Sequence, residues 1–194
     1  MLRPADANET AAAWRVAVQR PGPTAIVLSR QGLPVLDPDK AADGVSRGAY
    51  TVHEPEAAQP EVVLIATGSE VSLALRSAEE LESRDIRTRV VSMPSWELFR
   101  EQPAEYREAL LPALTPKLAI EAAHPMGWHE FVGSGGDVVA LDRFGASGPG
   151  AEVYAELGFT VELLVQVLIK TRECVVAIAH GLFRPSGTRP LFAA

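Results

Sequence analysis

The stretch "EVVLIATGSEVSLALRSAEELESRDIRTRVVSMPS", Glu61 to Ser95, limits the possible folds more than any other part of the chain. Val62 to Ala66 is an unbroken apolar run of strand length, and a strand without polar alternation must be covered on both faces. Val71, Leu75, Ala78 and Leu81 then recur at helical spacing, and "TRVVSM" is the next strand. So short a crossover implies parallel, right-handed pairing. "GAYTV" upstream reads as an edge strand. Downstream, "PAEYREALLPAL" reads as helix, "KLAIEA" as strand, "MGWHEFVG" as a short helix or turn, "DVVAL" as strand and "DRFGASGPG" as a loop. "TVELLVQVLIKTRE" is a helix that Thr160 can cap, with Glu162 in its positive first turn and Phe159 placed to staple against Leu164. The expected class is α/β, a mostly parallel sheet sandwiched by helices.

The first residues read as part of a second α/β unit. In "ADANETAAAWRVAVQRPG", Asp6, Asn8 and Thr10 are possible N-caps, Trp14 and Val18 share a helical face, and Pro21-Gly22 ends the run. "TAIVLS", Thr24 to Ser29, reads as a buried strand. The pattern lapses from Gln31 to Arg47, which reads as a linker. The expected organisation is a partial domain over 1–34, a linker over 35–46, a second domain over 47–172 and an atypical tail over 173–194. That tail starts apolar and breaks into Pro, Gly and Ser, which reads equally as an extra strand or docked tail and as a disordered end or translation artefact. The partial unit is expected to lack sheet neighbours and so to leave apolar surface and a strand edge open to self-association or local disorder.

Composition narrows the partners. A net charge of −7 argues against nucleic acid, which needs a basic face. No run of about eighteen apolar residues is present, so no membrane span is expected. The single cysteine, Cys174, cannot form an internal disulfide, which fits a cytoplasmic setting.

Arg30 follows directly on the "TAIVLS" segment. Ligands of open parallel sheets gather at the carboxyl ends of strands, and a guanidinium there suits a phosphate or carboxylate; the plainer reading is an exposed ion pair. "ATGSEV" puts Gly68 and Ser69 at a helix start that can hold an anion. Capping by Ser69, with Glu70 in the first turn, is the stronger reading. His124, His129 and Glu130 lack the H-E-x-x-H spacing of a metal site, and Cys174 lacks a partner histidine. Asp142 and Arg143 either line a groove or pair at the surface.

Taken in order, "RPADANET", "PTAIVLSRQGLP", "RGAY", "VVLIATGSEVSLAL", "RVVSMPSWELF", "YREALLP", "IEAA", "DRFGASGP" and "GFTVELLV" resemble the C-terminal part of transketolases, from about Leu2 to Arg172. The resemblance implies a role in moving a two-carbon ketol unit between sugar phosphates in the pentose phosphate pathway, with thiamine diphosphate and Mg as cofactors and a homodimeric full enzyme. It makes residues up to about Pro34 the end of the pyrimidine-binding domain and Arg47–Arg172 the C-terminal domain. It also makes Arg30, in "SRQ", a substrate phosphate ligand.

The family's G-D-G with a downstream asparagine, which grips diphosphate and metal, does not occur; Gly136-Asp137 is followed by Val138. The family's activating glutamate and substrate histidines match no position here, and His53, His124, His129 and His180 inherit no role. No catalytic, cofactor-binding or metal-binding residue is carried over, so the chain is expected to be inactive alone and to need a complementary N-terminal chain. The alternatives are a non-catalytic dimerisation or small-ligand-binding module, or a gene fragment.

Overall fold

Val62 to Ala66 is the central region of one open sheet in the computed structural model, which describes residues 1–56 and 59–179. In chain order the elements are α1 (Ala7–Gln19), α2 (Pro38–Ser46), β1 (Tyr50–His53), β2 (Val62–Ala66), α3 (Glu70–Glu82), β3 (Thr88–Ser92), α4 (Trp96–Arg100), α5 (Ala104–Leu110), β4 (Lys117–Glu121), α6 (His129–Val132), β5 (Asp137–Ala140), α7 (Gly150–Glu156) and α8 (Val161–Ala179). The strand order is β1-β3-β2-β4-β5. β3, β2, β4 and β5 run parallel, and β1 closes the edge antiparallel to β3.

The strand side chains alternate between two cores, as a pleated ribbon requires. Val62, Leu64 and Ala66 enter one core with Val90, Leu118 and Ile120, beneath α3 and α8. Val63 and Ile65 enter the other with Val91, Ala119, Phe99, Trp128 and Phe131. The helix on "TVELLVQVLIKTRE" starts as its sequence implies: Thr160 Oγ1 accepts from the Leu163 N–H at 3.2 Å, and Phe159 and Leu164 share the first core.

The stretch read as a linker holds α2. Asp37 caps it, Pro38 stands at its first turn, and Ala41 and Val45, one turn apart, are buried on a common face. That face meets Ala12, Ala13 and Val16 of α1 and the Tyr50 ring in a third core beside the sheet edge. The ring lies so close to Gly44 that no side chain fits at that position.

Thr24–Ser29 is not a buried strand. It makes one parallel bridge, Ile26 to Leu2, and Val27 and Leu28 are about half exposed, at 45% and 55%. An extended segment with a single bridging residue has neither the ladder nor the cover that a core strand needs. Trp14 and Val18 do share a face of α1, but it is the solvent face; the buried face carries Glu9, Ala12, Ala13 and Val16. The residues from Glu173 to Ala179 continue α8, and the remainder of the 173–194 tail lies outside the described residues.

Candidate functional site

The sheet order makes β2 a switch point: the chain leaves it for β3 on one side and reaches β4 on the other. The crevice at the carboxyl ends of such strands is where open α/β sheets take their ligands. Arg3 fills it. Its Nη2 donates to Glu70 Oε2 at 2.6 Å and its Nη1 to Glu121 Oε1 at 2.8 Å. Glu70 is fully buried, and the Arg3 side chain is 16% exposed.

Both oxygens of each carboxylate accept from the chain itself. Glu70 also accepts from Ser69 Oγ (2.6 Å), Tyr154 OH (2.7 Å) and the Ala122 N–H (3.1 Å). Glu121 also accepts from the Trp128 indole N–H at 2.6 Å. Burial, and then the charge of Glu70, pushes the Tyr154 phenol above its usual range. Gly68 is at φ +58°, and a Cβ there would sit 2.8 Å from Arg3 Nε, so the turn must be glycine while the arginine is in place.

This geometry corrects both readings of "ATGSEV". Ser69 makes no side-chain cap; its hydroxyl turns to Glu70 instead. The Gly68 N–H, offered as an anion donor, bonds the Arg3 carbonyl at 3.1 Å. The helix start is occupied by the protein's own backbone.

A second buried carboxylate lies under α1. Glu9 accepts from the Ala5 N–H (2.7 Å), Tyr50 OH (2.9 Å) and Ser92 Oγ (2.6 Å), tying α1 to β1 and β3. Burial pushes its carboxyl up, against the pull of those donors, and pushes the Tyr50 phenol up as well. Asp6 caps α1 through the Glu9 N–H at 2.8 Å and also accepts from the Leu36 N–H.

Arg30 is exposed and makes no hydrogen bond or ion pair among the described residues. It does not stand at the end of a core strand. A groove of about 260 Å³ is lined by its chain neighbours Leu28, Ser29 and Gln31 with Pro4, Asp6 and Thr10, and Arg30 itself does not line it.

The other sequence candidates stay apart. His124 Nδ1 accepts from the Met126 N–H, and Glu130 pairs with Arg100. His129 and Cys174 are exposed, as are Asp142 and Arg143, which form no ion pair among the described residues. His53 meets Glu82 at 2.8 Å, and His180 lies outside the described residues.

These residues do not fit thiamine diphosphate or a divalent ion. Among the described residues no group of three or more His, Cys, Asp or Glu is arranged to hold a metal, and every buried side-chain N or O atom already has a partner.

Sequence reasoning missed Arg3, Glu9, Glu70 as a buried hub, and Glu121. One signal was available. Glu121 ends a buried strand, the same kind of position that drew attention to Arg30.

A family profile described as the transketolase-like TK C-terminal domain matches residues 48–160. A transketolase of Geobacillus stearothermophilus is 50% identical over 170 residues, which are 86% of this chain and 25% of that protein. The transketolase of Pichia stipitis in complex with sedoheptulose 7-phosphate superposes with a TM-score of 0.83 at 34% identity, covering 91% of this chain and 25% of that one. A split-gene transketolase described as an inactive β4 tetramer shares the fold, with a TM-score of 0.74 at 22% identity over 89% of this chain and 57% of its own. The chain thus spans about a quarter of the length of the curated relatives it matches. It belongs to the transketolase family, of which it represents the C-terminal portion.

Proposed function

We propose that this polypeptide contributes the C-terminal part of a transketolase that transfers a two-carbon ketol unit between sugar phosphates, and that Arg30 binds the substrate's phosphate. The observation that carries the reading is the state of Arg30: an exposed guanidinium with no partner among the described residues, in the "SRQ" segment that matches the family's phosphate arginine. A forked, permanently charged donor is suited to a phosphate, and it costs nothing to free when no carboxylate already holds it. Beside it, residues 1–34 are the end of the pyrimidine-binding domain, 35–46 join it to the next domain, and 47–172 are the C-terminal domain.

Thiamine diphosphate with Mg supplies the carbanion chemistry of such an enzyme when bound elsewhere in it. This chain's contribution is to bind and orient the phosphate end of the substrate. Glu9, Glu70 and Glu121 each accept from internal donors at both carboxylate oxygens, which ties them to the fold. In this reading ketol transfer needs the N-terminal part of a transketolase as well, and these 194 residues alone are inactive. The assembled enzyme is a cytoplasmic homodimer in this reading.

The test is complementation. Residues 2–172 replace the matching quarter of the Geobacillus stearothermophilus transketolase, or the chain is mixed with a separate N-terminal chain shown to bind it. Thiamine-dependent turnover of a ketose phosphate is expected from the assembly and not from the chain alone. A folded assembly without turnover, or an isolated chain with it, overturns the reading.

A further inference from the structure

We propose that Arg3, locked between Glu70 and Glu121, is a positioning residue for Arg30, fixing where that guanidinium stands relative to the sheet. The proposal rests on the reading of Arg30 as the phosphate ligand. Its basis is the set of contacts that hold residues 21–35 in place.

Among the described residues, the backbone of that segment makes two hydrogen bonds, and both go to one residue. The Leu2 N–H donates to the Ala25 carbonyl, and the Val27 N–H donates to the Leu2 carbonyl, each at 2.8 Å. At the far end, the Leu36 N–H donates to Asp6, and Asn8 Nδ2 donates to the Leu36 carbonyl at 2.7 Å. The loop that carries Arg30 therefore hangs at both ends from the stretch Leu2–Asn8. Arg30 lies three positions beyond Val27, at most about 10 Å of chain, so a shift at Leu2 is carried to the guanidinium.

What holds Leu2 is its neighbour. The Arg3 N–H donates to the Pro94 carbonyl at 2.8 Å, beyond the end of β3, and its carbonyl accepts from the Gly68 N–H and from Thr67 Oγ1 after β2. Its guanidinium then forks between two buried carboxylates, themselves oriented by Ser69, Tyr154, Ala122 and Trp128. A lysine there keeps the charge and loses the fork, so it cannot serve both carboxylates in the same geometry.

Amide hydrogen exchange on the full chain tests this directly. In Arg3→Lys, Val27 is expected to exchange faster by on the order of tenfold or more, the scale of one lost charge-assisted contact, while amides of β2 and β4 hold their protection. Arg3→Ala should open Val27 further, and millimolar ethylguanidinium should restore its protection in that variant without affecting the wild type. Arg3→Lys carries the test alone where Arg3→Ala does not fold. In the complemented enzyme, Arg3→Lys is expected to raise KM for phosphorylated sugars with little change in kcat. Val27 exchanging at the wild-type rate in Arg3→Lys overturns the positioning and leaves the phosphate reading standing. A wild-type KM in Arg30→Ala overturns the phosphate reading, and with it the object of the positioning.

Discussion

Arg3 and Arg30 are the same residue in opposite circumstances. Arg3 is mostly buried, forked between two carboxylates, and walled by a glycine that leaves no room for anything else. Arg30 stands in solvent on a segment with little cover. A buried charge must find its partners within the chain or lose more in desolvation than it gains. An exposed charge faces no such demand, and one left unpaired beside a groove is available to a ligand. The difference teaches that strand-end placement does not by itself mark a binding arginine; what matters is whether the protein has already satisfied it.

The largest effect should fall on the buried member. Arg3→Ala leaves Glu70 and Glu121 facing each other without a cation, and should lower the unfolding free energy by about 3–5 kcal/mol in urea titration. A loss under about 1 kcal/mol, the range of exposed ion pairs, would break the contrast.

Arg30→Ala should show the opposite profile. Its stability should stay within about 0.5 kcal/mol of wild type, as for a surface site. Phosphate affinity in the complemented enzyme should fall by about 1.5–3 kcal/mol, seen in KM. Equal affinity for phosphorylated and unphosphorylated sugars in the wild type would remove the reason for the residue.

Glu9 sharpens the comparison through pH. Its folded-state pKa is raised, chiefly by burial, so the folded chain holds this proton to higher pH than the unfolded chain does. Its contribution to stability is present below the ordinary carboxylate range and is lost as pH rises through the folded-state value. Glu9→Gln should therefore gain on the wild type between acid and neutral pH in paired denaturation curves. A constant difference across that range would show that the donors around Glu9 fully offset its burial, and a relative loss by Glu9→Gln that they outweigh it.

The smallest effect concerns the exposed apolar face of α1. Trp14 and Val18, 57% and 76% exposed, should promote weak self-association of the isolated chain. Trp14→Ser with Val18→Ser should reduce it in sedimentation velocity, with almost no change in the urea midpoint.

The sheet was legible because strands buried on both faces carry that demand in their own residues, as Val62–Ala66 and Lys117–Glu121 do. Thr24–Ser29 carries the same signature, yet composition states a need for burial and does not say what meets it. α2 was hidden by its proline, glycine and charges, although Asp37-Pro38 is a helix start when read position by position. Arg30 stands out in the sequence as the end of a buried strand, a placement that the exposed Thr24–Ser29 segment does not bear out. The socket around Arg3 was not legible, because Glu70 lies 67 residues away in sequence and Glu121 lies 118 away. No local window contains that pairing, and Glu70 alone looks like an ordinary first-turn glutamate.

Trp128 gives the socket a natural optical reporter. Its indole is fully buried and donates directly to Glu121, one bond from the arginine, so removing or replacing that cation changes the field across the ring. Trp96, whose ring packs edge-on against Trp128 at 5.0 Å, shares that environment, whereas Trp14 faces solvent and contributes an emission that this event does not touch. A shift confined to the blue side of the fluorescence band would then follow the arginine in and out of its seat without any attached label.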